Sequence, residues 1–302
     1  MAPNNPTCVL ETLQLAARHG LDLDCVLSFN EMGLDFKIAF AKDSTGHTWV
    51  LRIPRRADML ARIEREKKIL DFVKQRLPVH VPDWRVCTGE LIAYPMLMDR
   101  VAMTFDPETY AVTWNIDQHA IAYLQSMADL LVALHGSSVP ESVSAGISHS
   151  TPEMVRRKFL MDLERVKSEI GIGQDLEVQV RQWLDHDNLW PEFSVLVHGD
   201  LYAGHVTADA AARVTGVIDW SEAEISDPSI DFAGHLAVFG PESLEKLVAE
   251  YAQRGGRTWP TMVDQIRARH IASPIKYGLF ALNSQCQKHL AAAKAQLGVT
   301  SC

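Results

Sequence analysis

Strand-like alternation is confined to the first third of this chain, and long helical periodicities fill the rest, broken by two short apolar runs that each end in aspartate. Cys8 to His19 carries a helical pattern ended by Gly20, a residue suited to the left-handed turn after a helix. Strand patterns follow at Cys25–Phe29, Asp35–Ala41 and Thr48–Ile53, with Lys42-Asp43-Ser44-Thr45-Gly46 as a hairpin turn between the last two. Phe36, Ile38 and Phe40 alternate with Lys37 and Ala39, as a half-buried strand requires. Asp58–Arg76 reads as a helix, with Asp58 as its N-cap and Pro78 beyond its end. Trp84–Thr88 and Glu90–Met96 read as two more strands. Residues 1 to 97 are therefore expected to form a small five-stranded antiparallel sheet carrying one main helix.

Residues 98 to 302 are expected to be mainly helical, with segments at Asp117–His135, Pro152–Ile170, Asp175–Leu184, Ser243–Ala252 and Thr261–Gln287. Between them lie the two apolar runs, Ser194–His198 and Val214–Asp219. The fold class this predicts is α+β in two lobes, a small antiparallel-sheet N-lobe and a larger, mainly helical C-lobe. The net charge of −9 argues against a general nucleic-acid binder, which carries a basic footprint. Five scattered cysteines without C-x-x-C spacing indicate neither a disulfide framework nor a zinc site. No run reaches the roughly 18 apolar residues of a membrane helix, and MAPNNPTCVLETLQ has no apolar signal core. A cytoplasmic monomer with no membrane partner is the expectation.

The chemistry concentrates at VLVHGDLYAGHV, Val195 to Val206. An apolar strand enters His198-Gly199-Asp200, and 19 residues later VTGVID ends in Asp219. Two carboxylates at the ends of neighbouring buried strands can converge on one point. Phosphoryl transfer uses such a pair, one to orient the attacking hydroxyl and accept its proton, the other to hold Mg²⁺ against nucleotide phosphates. Taken singly, either aspartate is equally readable as a turn residue after a strand.

The motifs VLVHGDLYAGH and VIDW resemble the catalytic and metal-binding loops of the aminoglycoside phosphotransferase superfamily, whose fold is protein-kinase-like. The resemblance implies Asp200 as catalytic base and Asp219 as metal ligand. Superfamily members usually carry Asn five residues after the base, where this chain has His205; a metal ligand, a phosphate contact and a loop-orienting residue are its possible roles. A zinc hydrolase built on His198, Asp200 and His205 is an alternative that leaves the first lobe without a purpose.

On the nucleotide side, Glu66 shares an apolar helix stripe with Ile63, Leu70 and Val73 and therefore needs a partner. Arg52, flanked by Leu51 and Ile53, stands where kinases place the strand lysine that pairs with a helix glutamate. Lys37 is a candidate to share that task, and Glu66 pairing with Arg62 on the surface is the plainer reading. The turn Asn30-Glu31-Met32-Gly33, with Gly33, is a candidate phosphate cover. Backbone groups near Met96 and Met98 are candidates for reading the purine edge; a Met-rich stretch is otherwise ordinary core.

NEMGLDF (Asn30–Phe36), WVLRIPRR (Trp49–Arg56), ELIAY (Glu90–Tyr94), HGDLYAGH, GVIDWSEA (Gly216–Ala223) and Trp259-Pro260 together resemble macrolide 2′-phosphotransferases over nearly the whole chain. That resemblance implies transfer of the γ-phosphoryl group of GTP, or of ATP, with Mg²⁺, to the 2′-hydroxyl of the desosamine sugar of a macrolide, and hence antibiotic resistance. Substrate candidates are Asp200, Tyr202, Asp227, Asp231, Leu236 and Tyr277, with Phe239, Pro274 and Phe280 as further apolar wall. The acidic residues would receive the sugar's cationic amine, although Asp227 also suits a helix start and Asp231 a brace for the catalytic loop. An aminoglycoside or other amino-sugar acceptor, and a non-catalytic binding protein with the kinase fold, are the alternatives.

Overall fold

The structure is a computed structural model that describes residues 8–299 except 32, 107, 108 and 110. Helix α1 (Val9–Arg18) precedes β1 (Leu23–Asn30), β2 (Phe36–Asp43) and β3 (Thr48–Pro54). Gly20, at φ +79°, ends α1 as the sequence predicts, since the amide of Leu21 returns to the Ala16 carbonyl. Helix α2 (Leu60–Val73), β4 (Val86–Cys87) and β5 (Ile92–Pro95) complete the first part. The five strands form one antiparallel sheet in the order β1-β2-β3-β5-β4. The expected N-cap at Asp58 is not found. Asp58 lies in a short 3₁₀ turn, Ala57–Met59, and Met59 precedes α2 without a side-chain cap.

Period-two alternation gives this sheet two buried faces. Ala39, Ala41, Leu51 and Ile53 pack with Leu15 and Ala16 of α1. Val50, Ile92 and Tyr94 point the other way, into a core shared with Ile63, Ile69 and Val73 of α2. The sheet order ends at β4, with β5 inside it; β6 (Arg100–Val101) pairs instead with the second part of the molecule.

That part contains β7 (Met103–Phe105), β8 (Val112–Trp114), α3 (Ile121–His135), α4 (Val139–Ser144), α5 (Pro152–Glu169) and α6 (Gln174–Asp185). Then come β9 (Val195–Val197), β10 (Val206–Ala208), β11 (Val214–Val217) and β12 (Glu224–Ser226). Among the described residues strand β9 pairs only with β12, while β10 lies between β11 and β6. The chain finishes with α7 (Ile230–Gln253), α8 (Met262–Ile271), α9 (Ser273–Ser284) and α10 (Gln287–Gln296). The single helical segment expected over Thr261–Gln287 is thus two helices and the start of a third. Pro274 begins α9 because it cannot continue α8, and Gln285, at φ +53°, turns the chain into α10. Phe159, Leu163, Trp183, Ile275 and Leu297 form a core of their own, separate from the one around α3 and α7. Among the described residues no helix is long and apolar enough to cross a membrane.

Helix α7 extends the expected Ser243–Ala252 segment back to Ile230 through a kink at Gly240, φ +81°, followed by Pro241. His235 spans that kink. Its ring stacks on Phe239 at 4.5 Å, and its Nε2 meets the Ser243 hydroxyl at 2.9 Å. Burial pushes the His235 pKa down to about 4, so the folded protein keeps the ring neutral where an unfolded chain would protonate it. Its contribution to stability is complete above pH 6.5 and is lost as pH falls towards 4. The expected slope is about 1.4 kcal/mol per pH unit in that window. Urea unfolding at pH 7 and pH 5 should show the fall, and His235→Phe should remove most of the slope whatever it does to stability at pH 7.

Candidate active site

Strand β9 is wholly buried, and its chain reverses at Gly199, φ +83°. A Cβ there would lie 2.4 Å from the Glu222 carbonyl oxygen, so the turn admits glycine alone. The turn delivers Asp200 outward, its side chain 59% exposed. Behind it, the buried Asp231 carboxylate accepts the amides of His198 and Gly199, both at 2.8 Å, and faces His135 Nε2 at 3.2 Å. His135 is held in turn by the Tyr251 hydroxyl. A carboxylate buried so deeply keeps its charge only when it is saturated with donors. Asp231 is therefore the clamp of the loop and not a substrate contact, which corrects one of the two roles expected for it.

His198 ties the two aspartate loops together. Its Nε2 meets the Ile218 carbonyl at 3.0 Å, and its Nδ1 accepts the Asp200 amide at 3.3 Å, the pattern of a neutral ring with its proton on Nε2. Burial keeps its pKa below the ordinary value. Trp220, fully buried, packs edge-on against this ring at 4.8 Å. Asp219, just before it, holds a left-handed φ of +62° that a side chain rarely adopts. Burial works to raise the Asp219 pKa, but His205, Arg52 and the Ser221 hydroxyl outweigh it and hold the carboxyl below its usual range.

His205 lies between the two carboxylates. Its Nδ1 meets the Asp200 carbonyl at 2.9 Å and the Asp200 carboxylate at 3.5 Å, while Nε2 is 3.7 Å from the Asp219 carboxylate. With Nδ1 on the Asp200 carbonyl, the ring presents Nε2 towards Asp219. Asp219, 44% exposed, and His205 Nε2 thus form a two-donor edge with its remaining side open. That fits a hard cation that keeps most of its oxygen shell from water and phosphate. Among the described residues no group of three or more His, Cys, Asp or Glu side chains is arranged to hold a metal. The zinc arrangement falls with it, because His198 is committed to Ile218.

Arg52 and Glu66 meet as the sequence predicts. Two guanidinium nitrogens donate to the two carboxylate oxygens at 2.5 and 3.0 Å, both side chains buried. Burial opposes the Arg52 charge and Glu66 more than offsets it, so the guanidinium is held above its ordinary range. Glu66 also accepts the Trp220 backbone amide, and Arg65 donates to the Ala223 carbonyl at 2.9 Å. Helix α2 is in this way fastened to the loop that carries Asp219. Arg62 takes no part with Glu66; it pairs with Asp35.

Lys37 does not share Arg52's position. Register sets Lys37 opposite Ile53 and Arg52 opposite Ile38, so the two cations lie on opposite faces of the sheet. Lys37 is buried over the Phe29 ring and pairs with Glu31 at 3.1 Å, bracing the β1–β2 turn. Gly33 lies in that turn, exposed; Met32 is outside the described residues. Met96 and Met98 are exposed, Met98 completely, so they are not ordinary core. The Met96 amide is given to the Thr48 carbonyl.

Beside Asp200 opens a cavity of about 250 Å³. Gly199, Asp200, Leu201 and Tyr202 form one wall, and Ile230, Ala233, Gly234, Ala237 and Val238 of α7 another. Phe159 of α5 and Arg269, His270, Ser273 and Lys276 around the α8–α9 junction close it. It lies between the two cores of the helical part. Gly234 sets the approach of α7, since a Cβ there would meet the Leu201 carbonyl at 2.2 Å. A larger depression, about 410 Å³, lies far from this chemistry between His19, Thr45 and Arg85.

Of the substrate residues expected from sequence, Asp200 and Tyr202 line the cavity. Asp227 does not. It is fully buried and binds Ser229, Gln265 and Arg269. Leu236 belongs to the core around α3 and α7, and Tyr277 packs on Phe280 and His289. The α7 wall was missed, although its spacing at 230, 233, 234, 237 and 238 is one helix face with three small residues. Phe159 and Lys276 had no such signal.

A family model described as the phosphotransferase enzyme family matches residues 26–263. A solved macrolide 2′-phosphotransferase type I is 45% identical, with a TM-score of 0.90 and 97% of each chain covered. The macrolide 2′-phosphotransferase MphH of Brachybacterium faecium is 37% identical, with a TM-score of 0.86, covering 98% of this chain and 99% of its own. The uncharacterized protein YcbJ of Bacillus subtilis is 38% identical over 301 residues, 99% of this chain and 98% of that one. A kanamycin- and GDP-bound aminoglycoside phosphotransferase, 17% identical, shares the fold with a TM-score of 0.77 over 96% of this chain and 97% of its own.

Proposed function

The chain belongs to the phosphotransferase enzyme family, and from that premise we propose that it is a macrolide 2′-kinase: it transfers the γ-phosphoryl group of a nucleoside triphosphate, GTP in preference to ATP, to the 2′-hydroxyl of the desosamine sugar and so confers macrolide resistance. The observation that carries this reading is the position of Asp200, at the lip of a small, largely apolar cavity and linked through His205 to Asp219. The likeness to two macrolide 2′-phosphotransferases over nearly the full chain supports the choice of acceptor.

In this reading Asp200 orients the acceptor hydroxyl and takes its proton as the oxygen attacks phosphorus. Asp219 and His205 would hold Mg²⁺, which neutralises phosphate charge when bound. Arg52, fixed by Glu66, keeps donors free for phosphate oxygens, since its fork carries five N–H groups and only two are used. The β1–β2 turn with Gly33 covers the phosphates, and the chain from Met96 to Met98 borders the purine. Residues 1–97 and 98–302 act as the two lobes about this site. A cavity of about 250 Å³ takes one sugar ring, so the macrolactone lies across its mouth, against Tyr202 and Phe159. The site is assembled from one chain, which suits a monomer, and dependence on a nucleoside triphosphate suits the cytoplasm.

The test is transfer from labelled GTP and ATP with Mg²⁺ to erythromycin and to kanamycin. Erythromycin should be phosphorylated, with GTP the better donor, and kanamycin should not. Nucleotide binding without transfer to any macrolide would overturn the acceptor; absence of nucleotide binding would overturn the kinase reading.

A further inference from the structure

The acidic groups that a polycationic acceptor would need are withdrawn from the cavity. Asp231 clamps the catalytic loop, Asp227 is spent on Arg269, and Glu224 meets Ser150 at its strand edge. Asp200 is the one carboxylate among the lining residues. Opposite it the cavity carries positive charge. Arg269 closes its floor, His270 adds no negative charge in either protonation state, and Lys276 projects from the first turns of α9. Among the described residues Lys276 has no salt-bridge partner within 4 Å; desolvation, Arg269 and Lys158 draw its pKa below the ordinary lysine value, while Asp200 and Glu222 work to keep its charge. Arg269 is neutralised by Asp227 and Lys158 by Asp162, which leaves Lys276 as the lining cation without an ion pair among the described residues.

We infer that Lys276 determines acceptor specificity by charge: it excludes polycationic amino sugars from the cavity and leaves it to acceptors that are apolar and carry at most one positive charge. This rests on the amino-sugar reading of the acceptor. A second ammonium brought beside Lys276 finds no carboxylate in the cavity lining other than Asp200, and like charges at that wall oppose binding. A single amine can stay on the Asp200 side. The apolar α7 wall, Ala233, Ala237 and Val238, gives a polycation nothing in exchange.

The experiment compares wild type, Lys276→Met and Lys276→Glu, with erythromycin and kanamycin as acceptors and nucleotide binding as the check on folding. The ratio of kcat/KM for kanamycin to that for erythromycin should rise about tenfold or more in Lys276→Glu, with Lys276→Met between it and wild type. A ratio within twofold of wild type in both variants would overturn the inference. If the wild type phosphorylates no erythromycin, the acceptor reading fails. Calorimetric titration of kanamycin into the three nucleotide-bound proteins then decides the charge claim alone: tighter binding in the order Glu, Met, Lys supports it, and equal affinities overturn it.

Discussion

Asp200→Ala should lower phosphoryl transfer by about 10²–10⁴-fold while leaving nucleotide binding and the fold in place. The Asp200 side chain is 59% exposed and meets the loop only at His205, 3.5 Å away; the loop hangs mainly on the Asp231 clamp and on His198. Removing one of two carboxylates that share His205 also relieves like-charge repulsion, so the melting temperature should stay level or rise slightly. Asp200→Asn should be nearly as inactive, because it keeps the shape and can no longer take the proton. Single-turnover rates with pre-bound nucleotide, beside a thermal melt, check both halves. Full activity in either variant would remove Asp200 from the proton transfer.

The second large effect is on stability. Glu66→Ala strands the buried Arg52 guanidinium and removes the acceptor of the Trp220 amide, a loss of about 3–5 kcal/mol. Arg52→Met should cost a similar amount by stranding Glu66. The double variant Arg52→Met with Glu66→Leu should recover most of that stability, because apolar side chains of like volume replace buried pairs well. Transfer should not recover, since the phosphate donors are gone. Urea unfolding and kcat/KM for the nucleotide across the cycle test this. Recovery of activity in the double variant would reduce the pair to a structural strut.

The sequence made Arg52–Glu66 legible because both residues break an apolar pattern: a charge on a buried strand and a charge on a buried helix stripe each require a partner. The same reasoning misjudged Lys37. Alternation along β2 gives it a face, but only the register against β3, with Lys37 opposite Ile53, shows that this face is α1's and not Arg52's. The substrate role offered for Asp227 and Asp231 went astray for a related reason, whereas the brace expected of Asp231 is found. Segments after strands have no period, so spacing alone cannot tell an aspartate turned into the core from one turned into a cleft.

By itself, the sequence determined the sheet-then-helix order, the two aspartates at strand ends and the buried ion pair. All three follow from periodicity and spacing, which act between near neighbours in the chain. Tertiary structure alone decided that His205 bridges Asp200 and Asp219, that Asp231 clamps the loop from behind, and that Lys276 stands in the acceptor cavity. Each depends on segments 5 to nearly 80 residues apart being brought within contact, and the packing of α7 and α9 against the catalytic loop sets that geometry.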